Sequence, residues 1–387
     1  MPANLRGRSL LSMKDLSGEE ILAVLDKADE LKANRAKAEA AAPLAGKTLA
    51  MIFQKPSLRT RVSFETGMTR LGGHAIYLAP SDIKLGQRET TEDIAIVLSR
   101  YADLIMARVF GHDIVVDLAK YATCPVINGL SDFEHPCQIL ADLQTIRERK
   151  GGLKGLNASY VGDGNNVAHS LMLGAARVGM NMTVATPQGF EPKPQVLSDS
   201  QEIGRQTGAQ IRVLNDPREA ARGADVLYTD VWASMGQEAE AQERRAKFLG
   251  FQIDLNLLAC AKKDAIILHC LPAHYGEEID YAAARTPNAA IFDQSENRMH
   301  AQNGLMVLLA GAAKAVPART RPAPQNAKRQ RARRVAVQSP KRKRGASAGN
   351  QNPKRQRGVR AARQSPKRQR GARAAALRKR TARRTRK

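Results

Sequence analysis

Short apolar runs alternate with amphipathic stretches along the first three hundred or so residues of this chain. "KTLAMIF", "HAIYL", "DLIMAR" and "CPVIN" have the length and continuity of strands buried on both faces. Between them, apolar residues recur at helical spacing over Arg59 to Leu71, Thr91 to Tyr101 and Asp113 to Tyr121. The first of these stops at Gly72-Gly73, a helix-ending signal. A helix from about Pro136 to Lys150 ends at Gly151-Gly152, and the alternation restarts. "ASYVGDG", "NMTVATP", "QIRVL", "ADVLYTDVW", "AIILHCLP" and "AAIFDQ" are the strand candidates that follow. This order predicts an α/β protein of two doubly wound domains with mainly parallel sheets, joined by helices.

The boundary falls near residue 150, giving domains at 1–150 and 151–294. A last helix, about Ser295 to Ala315, and an N-terminal helix from Ser17 to Arg35 are placed to pack back on the first domain. A chain of 387 residues suits two domains with a large core.

Charge changes the picture at the C-terminal end. The formal net charge is +25, but 27 of the 62 Lys+Arg lie between Pro317 and Lys387, a segment with no Asp or Glu. The remaining 35 basic residues face 37 acidic ones, so a near-neutral body carries a basic tail. "NAKRQRARRVAVQ", "SPKRKRGASAGNQ", "NPKRQRGVRAARQ" and "SPKRQRGARAAAL" start at 326, 339, 352 and 365, a thirteen-residue period. The tail lacks aromatics and holds few large aliphatics, so it cannot bury enough to offset its ordering entropy. Residues 317–387 are therefore expected to be disordered. They suit polyanion or nucleic-acid binding by counterion release; a solvated extension without a selected role has the same composition. Four cysteines without CxxC pairing, no membrane-length apolar run and no signal-peptide core point to a soluble cytoplasmic protein.

Five clusters have the residue types that carry chemistry. "PSLRTR" places Ser57, Arg59 and Thr60 where a strand hands over to a helix, and free N–H groups, hydroxyls and a guanidinium there suit a phosphate. An N-cap with surface arginines uses the same residues. "HPCQ" puts His135 and Gln138 at another helix start, apt for a small carbonyl or amide or simply for capping, and Arg108 ends a strand at the edge where open α/β sheets bind ligands. "VGDGNNVAHS" half-matches a dinucleotide fingerprint through Gly162 and Gly164, but its third glycine is missing, which argues against a dehydrogenase. Asp230 in "DVWASMGQE" could hold an ammonium group or cap a loop. His269, Cys270 and His274 in "HCLPAHYGEE" match no zinc spacing.

In order, "SLRTR", "MAR", "HPCQ", "GDGNN", "DVWASMG", "HCLP" and "ENRMHAQ" resemble the motifs of the aspartate/ornithine carbamoyltransferase family, over about Leu10 to Ala315. The resemblance implies a carbamoyl-phosphate domain followed by an ornithine domain. It implies transfer of the carbamoyl group to the δ-amine of L-ornithine, giving L-citrulline and phosphate, as in arginine biosynthesis or a urea-cycle-type step. A relative using another amine, such as putrescine, is the alternative; the Ser-Met-Gly and "HCLP" segments favour ornithine. By the same resemblance Ser57, Leu58 (through its N–H), Arg59 and Thr60 hold the phosphate. Arg108, His135 and Gln138 bind the carbamoyl end, and Cys270, Leu271 and Arg298 complete that pocket. Arg108, His135 and Cys270 are the catalytic candidates; Asn166, Asp230, Ser234 and Met235 match the ornithine positions. Leu58 stands where the family commonly has Thr, which removes a hydroxyl and keeps the backbone donor. Lys84, where ornithine enzymes often carry Gln, or the nearby Gln87, could reach a neighbouring subunit, since the resemblance implies a trimer, or a multiple of trimers, with shared sites. The acyl donor is already activated, so neither cofactor nor metal is called for.

Overall fold

The computed structural model describes residues 4–86, 88–233 and 241–310. Four parallel strands, β1 (Thr48–Phe53), β2 (His74–Leu78), β3 (Leu104–Arg108) and β4 (Val126–Leu130), form a sheet in the order β2-β1-β3-β4. Helices α1 (Gly18–Ala33) and α2 (Arg35–Ala41) precede it. Helices α3 (Leu58–Arg70), α4 (Pro80–Ile83), α5 (Thr91–Leu98) and α6 (His112–Tyr121) connect its strands. Helix α7 (Pro136–Lys150) leads to five more parallel strands: β5 (Asn157–Val161), β6 (Asn181–Ala185), β7 (Ile211–Leu214), β8 (Val226–Thr229) and β9 (Ile266–His269). Their order is β7-β6-β5-β8-β9. Helices α8 (Asn166–Arg177), α9 (Pro194–Thr207), α10 (Pro217–Ala221), α11 (Ala241–Lys247) and α12 (Leu255–Leu258) join them, and α13 (Ile291–Leu309) follows.

The strand residues explain the layers. Leu49, Met51 and Phe53 of β1 face one apolar cluster, while Ala50 and Ile52 face another formed with Ile94, Val115 and Leu118 of α5 and α6. That period of two buries both faces of the sheet, and each large side chain so buried contributes about 1.5–3 kcal/mol. The second sheet does likewise, with Ala158 and Tyr160 on one side and Val161 on the other.

One strand expectation is corrected. "AAIFDQ" forms only an isolated bridge, Ala289 to Ile267, and then opens α13. Ile291, Gln294 and Asn297 are buried while Phe292 is exposed, a spacing of three that belongs to a helix. The last helix therefore starts at Ile291 rather than near Ser295. It packs on α1, α3 and α7. At the α1 crossing a Cβ on Gly304 would lie 2.7 Å from the Val24 carbonyl oxygen, so only glycine allows this approach. The basic tail lies outside the described residues.

Both sheets reverse their strand order once, β1 and β3 flanking the reversal in the first and β5 and β8 in the second. Such switch points leave a crevice at the carboxyl ends of the strands. The register levels those ends: Phe53 pairs with Arg108, and Thr229 with His269. The turn after β1 therefore meets Arg108, and Asp230 meets Cys270.

Candidate active site

A cleft of about 1020 Å³ lies over these strand ends. Ser57, Leu58, Arg59, Thr60, Arg108, His135, Gln138, Asn166, Asp230, Cys270, Leu271 and Arg298 all line it. Lys84 does not; it is exposed, with a left-handed backbone after α4. Gln87, Ser234 and Met235 lie outside the described residues.

One part of the cleft is cationic. Ser57 is the N-cap of α3: its Oγ accepts from the Thr60 N–H at 3.3 Å and donates to Thr60 Oγ1 at 3.1 Å. The helix N-terminus adds a partial positive charge, and Arg59 follows in the first turn. Arg108 and Arg298 are buried in the same part. Burial, then Arg298 and Arg59, lower the Arg108 pKa to about 10, which still leaves it a cation at neutral pH. His135 is buried among these charges; desolvation first, then Arg298, Arg108 and Arg59, hold its pKa well below 6.5, so the imidazole is neutral. Its Nδ1 has no protein partner, and neither has Nε of Arg108. Polar atoms left unpaired in a buried site are available to a bound ligand.

A buried relay fixes the next pair. Gln138 Nε2 donates to Asp142 Oδ1 at 2.7 Å, which turns Gln138 Oε1 toward Arg298 Nη1, 2.6 Å away. Arg298 Nη2 reaches Thr60 Oγ1 at 3.3 Å. Gln294 Nε2 also donates to Asp142 Oδ1, at 2.7 Å, and Gln294 Oε1 accepts the His269 N–H at 2.8 Å. Burial pushes the Asp142 carboxyl up to about 7, against the lowering effect of Gln138 and Gln294.

The same cleft also carries a carboxylate, Asp230. Asp230 Oδ1 accepts from the Cys270 thiol at 2.9 Å, and its Oδ2 accepts from Asn165 Nδ2 at 2.9 Å. Desolvation, then Asp230, push the Cys270 thiol well above its usual range, so it is a donor and not a thiolate. Asn165 also caps α8, accepting from Val167 and Ala168, and Asn166 Nδ2 donates to the Ser131 carbonyl at 2.7 Å. Gly164 is obligatory here, because a Cβ would stand 2.3 Å from the Pro192 nitrogen. Asp163 pairs with Arg244 at 3.1 Å, and Arg244 Nη1 donates to the Trp232 carbonyl at 3.0 Å, tying down the loop after Asp230.

Two groups among the described residues bring three metal-type ligands together: Asp230, His269 and Cys270, and His274, Glu277 and Glu278. In the first, hydrogen bonds already engage both His269 nitrogens and both Asp230 oxygens. In the second, Glu277 Oε1 is taken by Arg245.

Several lining residues escaped the sequence reading: Lys55, Phe110, Ser131, His169, Lys193 and Arg244. Ser131 follows β4, so the strand-end rule that found Arg108 would have found it. Arg244 and Lys193 enter from helices or loops, where no periodicity marks them.

The description "Aspartate/ornithine carbamoyltransferase, carbamoyl-P binding domain" matches residues 8–148, and "Asp/Orn binding domain" of the same family matches 154–309. An ornithine carbamoyltransferase of Thermococcus kodakarensis is 53% identical over 314 residues, 81% of this chain and 100% of that protein. Its counterpart in Anoxybacillus flavithermus is 55% identical over 305 residues, 79% of this chain and 97% of that protein. The solved ornithine carbamoyltransferase of Pyrococcus furiosus superposes with a TM-score of 0.78 at 53% identity, over 81% of this chain and 100% of that one. The switch-point cleft, its arginine cluster and carboxylate and these matches agree, and the chain belongs to the aspartate/ornithine carbamoyltransferase family.

Proposed function

We propose that the chain transfers the carbamoyl group of carbamoyl phosphate to the δ-amine of L-ornithine, releasing L-citrulline and phosphate. The observation that carries this reading is one cleft that holds both a cluster of Arg59, Arg108 and Arg298 and a carboxylate, Asp230, held by Cys270 and Asn165. A dianionic acyl donor fits the first and an amino acid's ammonium group the second. Phosphate sits at the α3 N-terminus on Ser57, the Leu58 N–H, Arg59 and Thr60. Arg108 and neutral His135 donate to the carbonyl oxygen, and Gln138, Leu271 and Arg298 orient the carbamoyl group. Cys270 completes the carbamoyl pocket, and Asn166 and Asp230 hold the amino acid, together with Ser234 and Met235.

The amine nitrogen attacks the carbonyl carbon, negative charge gathers on the carbonyl oxygen, and Arg108 stabilises it. The carbon–oxygen bond to phosphate then breaks, and its electron pair leaves with the phosphate. An alkyl ammonium has a pKa of roughly 10.4, so one proton must leave to solvent before the nitrogen can attack; the nitrogen sheds a second as the tetrahedral intermediate collapses, and the departing phosphate takes that one. Alignment of the two substrates supplies much of the rate. No step calls on a metal or a covalent nucleophile.

The test is citrulline formation, with putrescine and L-aspartate assayed beside L-ornithine. Preference for ornithine supports the assignment of Asp230. Preference for putrescine would keep the phosphate site and overturn the amino-acid site.

Three further assignments complete the reading. The enzyme is cytoplasmic; among the described residues no helix is long and apolar enough to cross a membrane. It works as a trimer or a multiple of trimers, with Lys84 or Gln87 reaching a neighbour's cleft; Lys84 is exposed beyond its own cleft, and Ile76 on the edge strand β2 is 42% exposed. The repeat tail binds nucleic acid or another polyanion.

A further inference from the structure

The loop after β9 carries Cys270 and Leu271 into the cleft, and two buried side chains that do not line the cleft hold that loop from behind. Glu278 is wholly buried, and its Oε1 accepts from His269 Nε2 at 3.0 Å and from the His274 backbone N–H at 2.6 Å. His269 is also wholly buried, and its Nδ1 accepts the Leu271 backbone N–H at 2.8 Å. Because Nδ1 is an acceptor, Nε2 carries the proton and donates to Glu278. Leu271 has φ +59°, a left-handed conformation that a branched side chain adopts only where its surroundings impose it. Glu278 is itself anchored: its carbonyl accepts the Ile253 N–H at 2.9 Å, and Ile253 and Ile279 sit in the apolar cluster behind the second sheet. A continuous path therefore runs from that core through Glu278 and His269 to the Leu271 N–H. The residue between His269 and Leu271 is Cys270, whose thiol is bonded to Asp230.

We propose that His269 and Glu278 are a positioning pair for Cys270 and Leu271, and through Cys270 for Asp230. Glu278 grips both ends of the loop, through His269 at its start and the His274 N–H at its far side, and so keeps the Cys270 thiol on Asp230. The carboxylate acts here by reach, as an acceptor of two N–H groups, and not by its charge. The role in substrate binding rests on the function proposed above; the hold on Cys270 does not.

Glu278→Gln and Glu278→Asp separate reach from charge. The glutamine carboxamide oxygen accepts both N–H groups, so kcat and the KM for L-ornithine stay within about twofold of wild type. Aspartate keeps the charge but is one methylene shorter. It raises the KM for both substrates about fivefold or more, since Leu271 borders the carbamoyl group and Cys270 is bonded to Asp230. Peptide-resolved alkylation by iodoacetamide reads the hold on Cys270 directly: labelling of Cys270 quickens at least about fivefold in Glu278→Asp and is unchanged in Glu278→Gln. If Glu278→Asp does not fold, His269→Phe is read instead, since its ring has neither a donor for Glu278 nor an acceptor for Leu271; the same KM and labelling changes are expected. Wild-type labelling in the folded Glu278→Asp or His269→Phe variant overturns the proposal, as does Glu278→Gln behaving like Glu278→Asp. A wild-type enzyme that prefers another amine would overturn the substrate reading instead, and the labelling result would still stand.

Discussion

Arg108 shares its part of the cleft with Arg59 and Arg298, and burial plus these two charges already lower its pKa to about 10. Three like charges so placed are a cost to the folded state that a bound dianion relieves. The Arg108→Ala enzyme is therefore expected to keep its melting temperature, or exceed it, while turnover falls by roughly 10²–10³, the range for removing one preorganised oxyanion donor. Steady-state kinetics and thermal unfolding on the same preparation check both halves. Near-normal turnover would remove Arg108 from the carbonyl-polarising role. A large fall in melting temperature would show that the cluster is held by something other than electrostatic compromise. Arg59 and Arg108 were legible in the sequence, because one opens a helix and the other ends a strand; Arg298, inside α13, came only from the family resemblance. The pairings were not legible: Gln138 and Arg298 are 160 positions apart, and Cys270 and Asp230 are 40 apart, so only the fold brings them together.

At the scale of elements, Asp142 joins α7 to α13 and, through Gln294, to Tyr228 of β8 and the His269 N–H of β9. Its pKa is raised to about 7 by burial, whereas an unfolded aspartate titrates at roughly 3.9. Between those values the folded chain binds more protons than the unfolded one. Asp142 thus contributes stability in full below about pH 4 and loses it as pH rises through about 7. Gln138, Gln294 and Tyr228 offset the burial only in part, so the ionised form remains the less favoured one inside the fold. Asp142→Asn keeps an Oδ1 that accepts from both glutamines and removes the titration. Chemical unfolding from pH 5 to 8 should show this part of the stability loss in wild type and a flatter profile in the variant. Equal slopes would mean that Asp142 ionises freely and that the relay is not as dry as its burial implies. The elements themselves were mostly readable, since strands buried on both faces are unbroken apolar runs. "AAIFDQ" shows the limit: a short apolar run fits a buried strand or the first turn of a buried helix equally well, and only Gln294, polar yet buried, distinguishes them.

At the scale of the whole molecule, the charge divides sharply between a body with 35 basic and 37 acidic residues and a tail with 27 basic and none acidic. The family matches end at residue 309, and the Thermococcus kodakarensis enzyme is matched along its full length by 81% of this chain. Deleting residues 317–387, which lie outside the family match, should leave kcat and both KM values within about twofold. Binding to polyanions should change completely. Each phosphate neutralised by Lys or Arg releases a counterion, so the full chain should bind duplex DNA with an affinity that falls steeply as salt rises, by roughly 0.9 log unit per log unit of salt for every contact. With no aromatic residue in the tail there is no stacking platform, and duplexes of different sequence should bind alike. Fluorescence anisotropy of labelled duplexes over a salt series, on the full chain and on residues 1–316, separates the possibilities. A truncated enzyme that holds DNA as well as the full chain would place the site on the body. A full chain that binds only weakly, with a shallow salt dependence, would leave the repeats as a solvated extension, because 27 cations free of any acidic neighbour in sequence have no other way to avoid a polyanion.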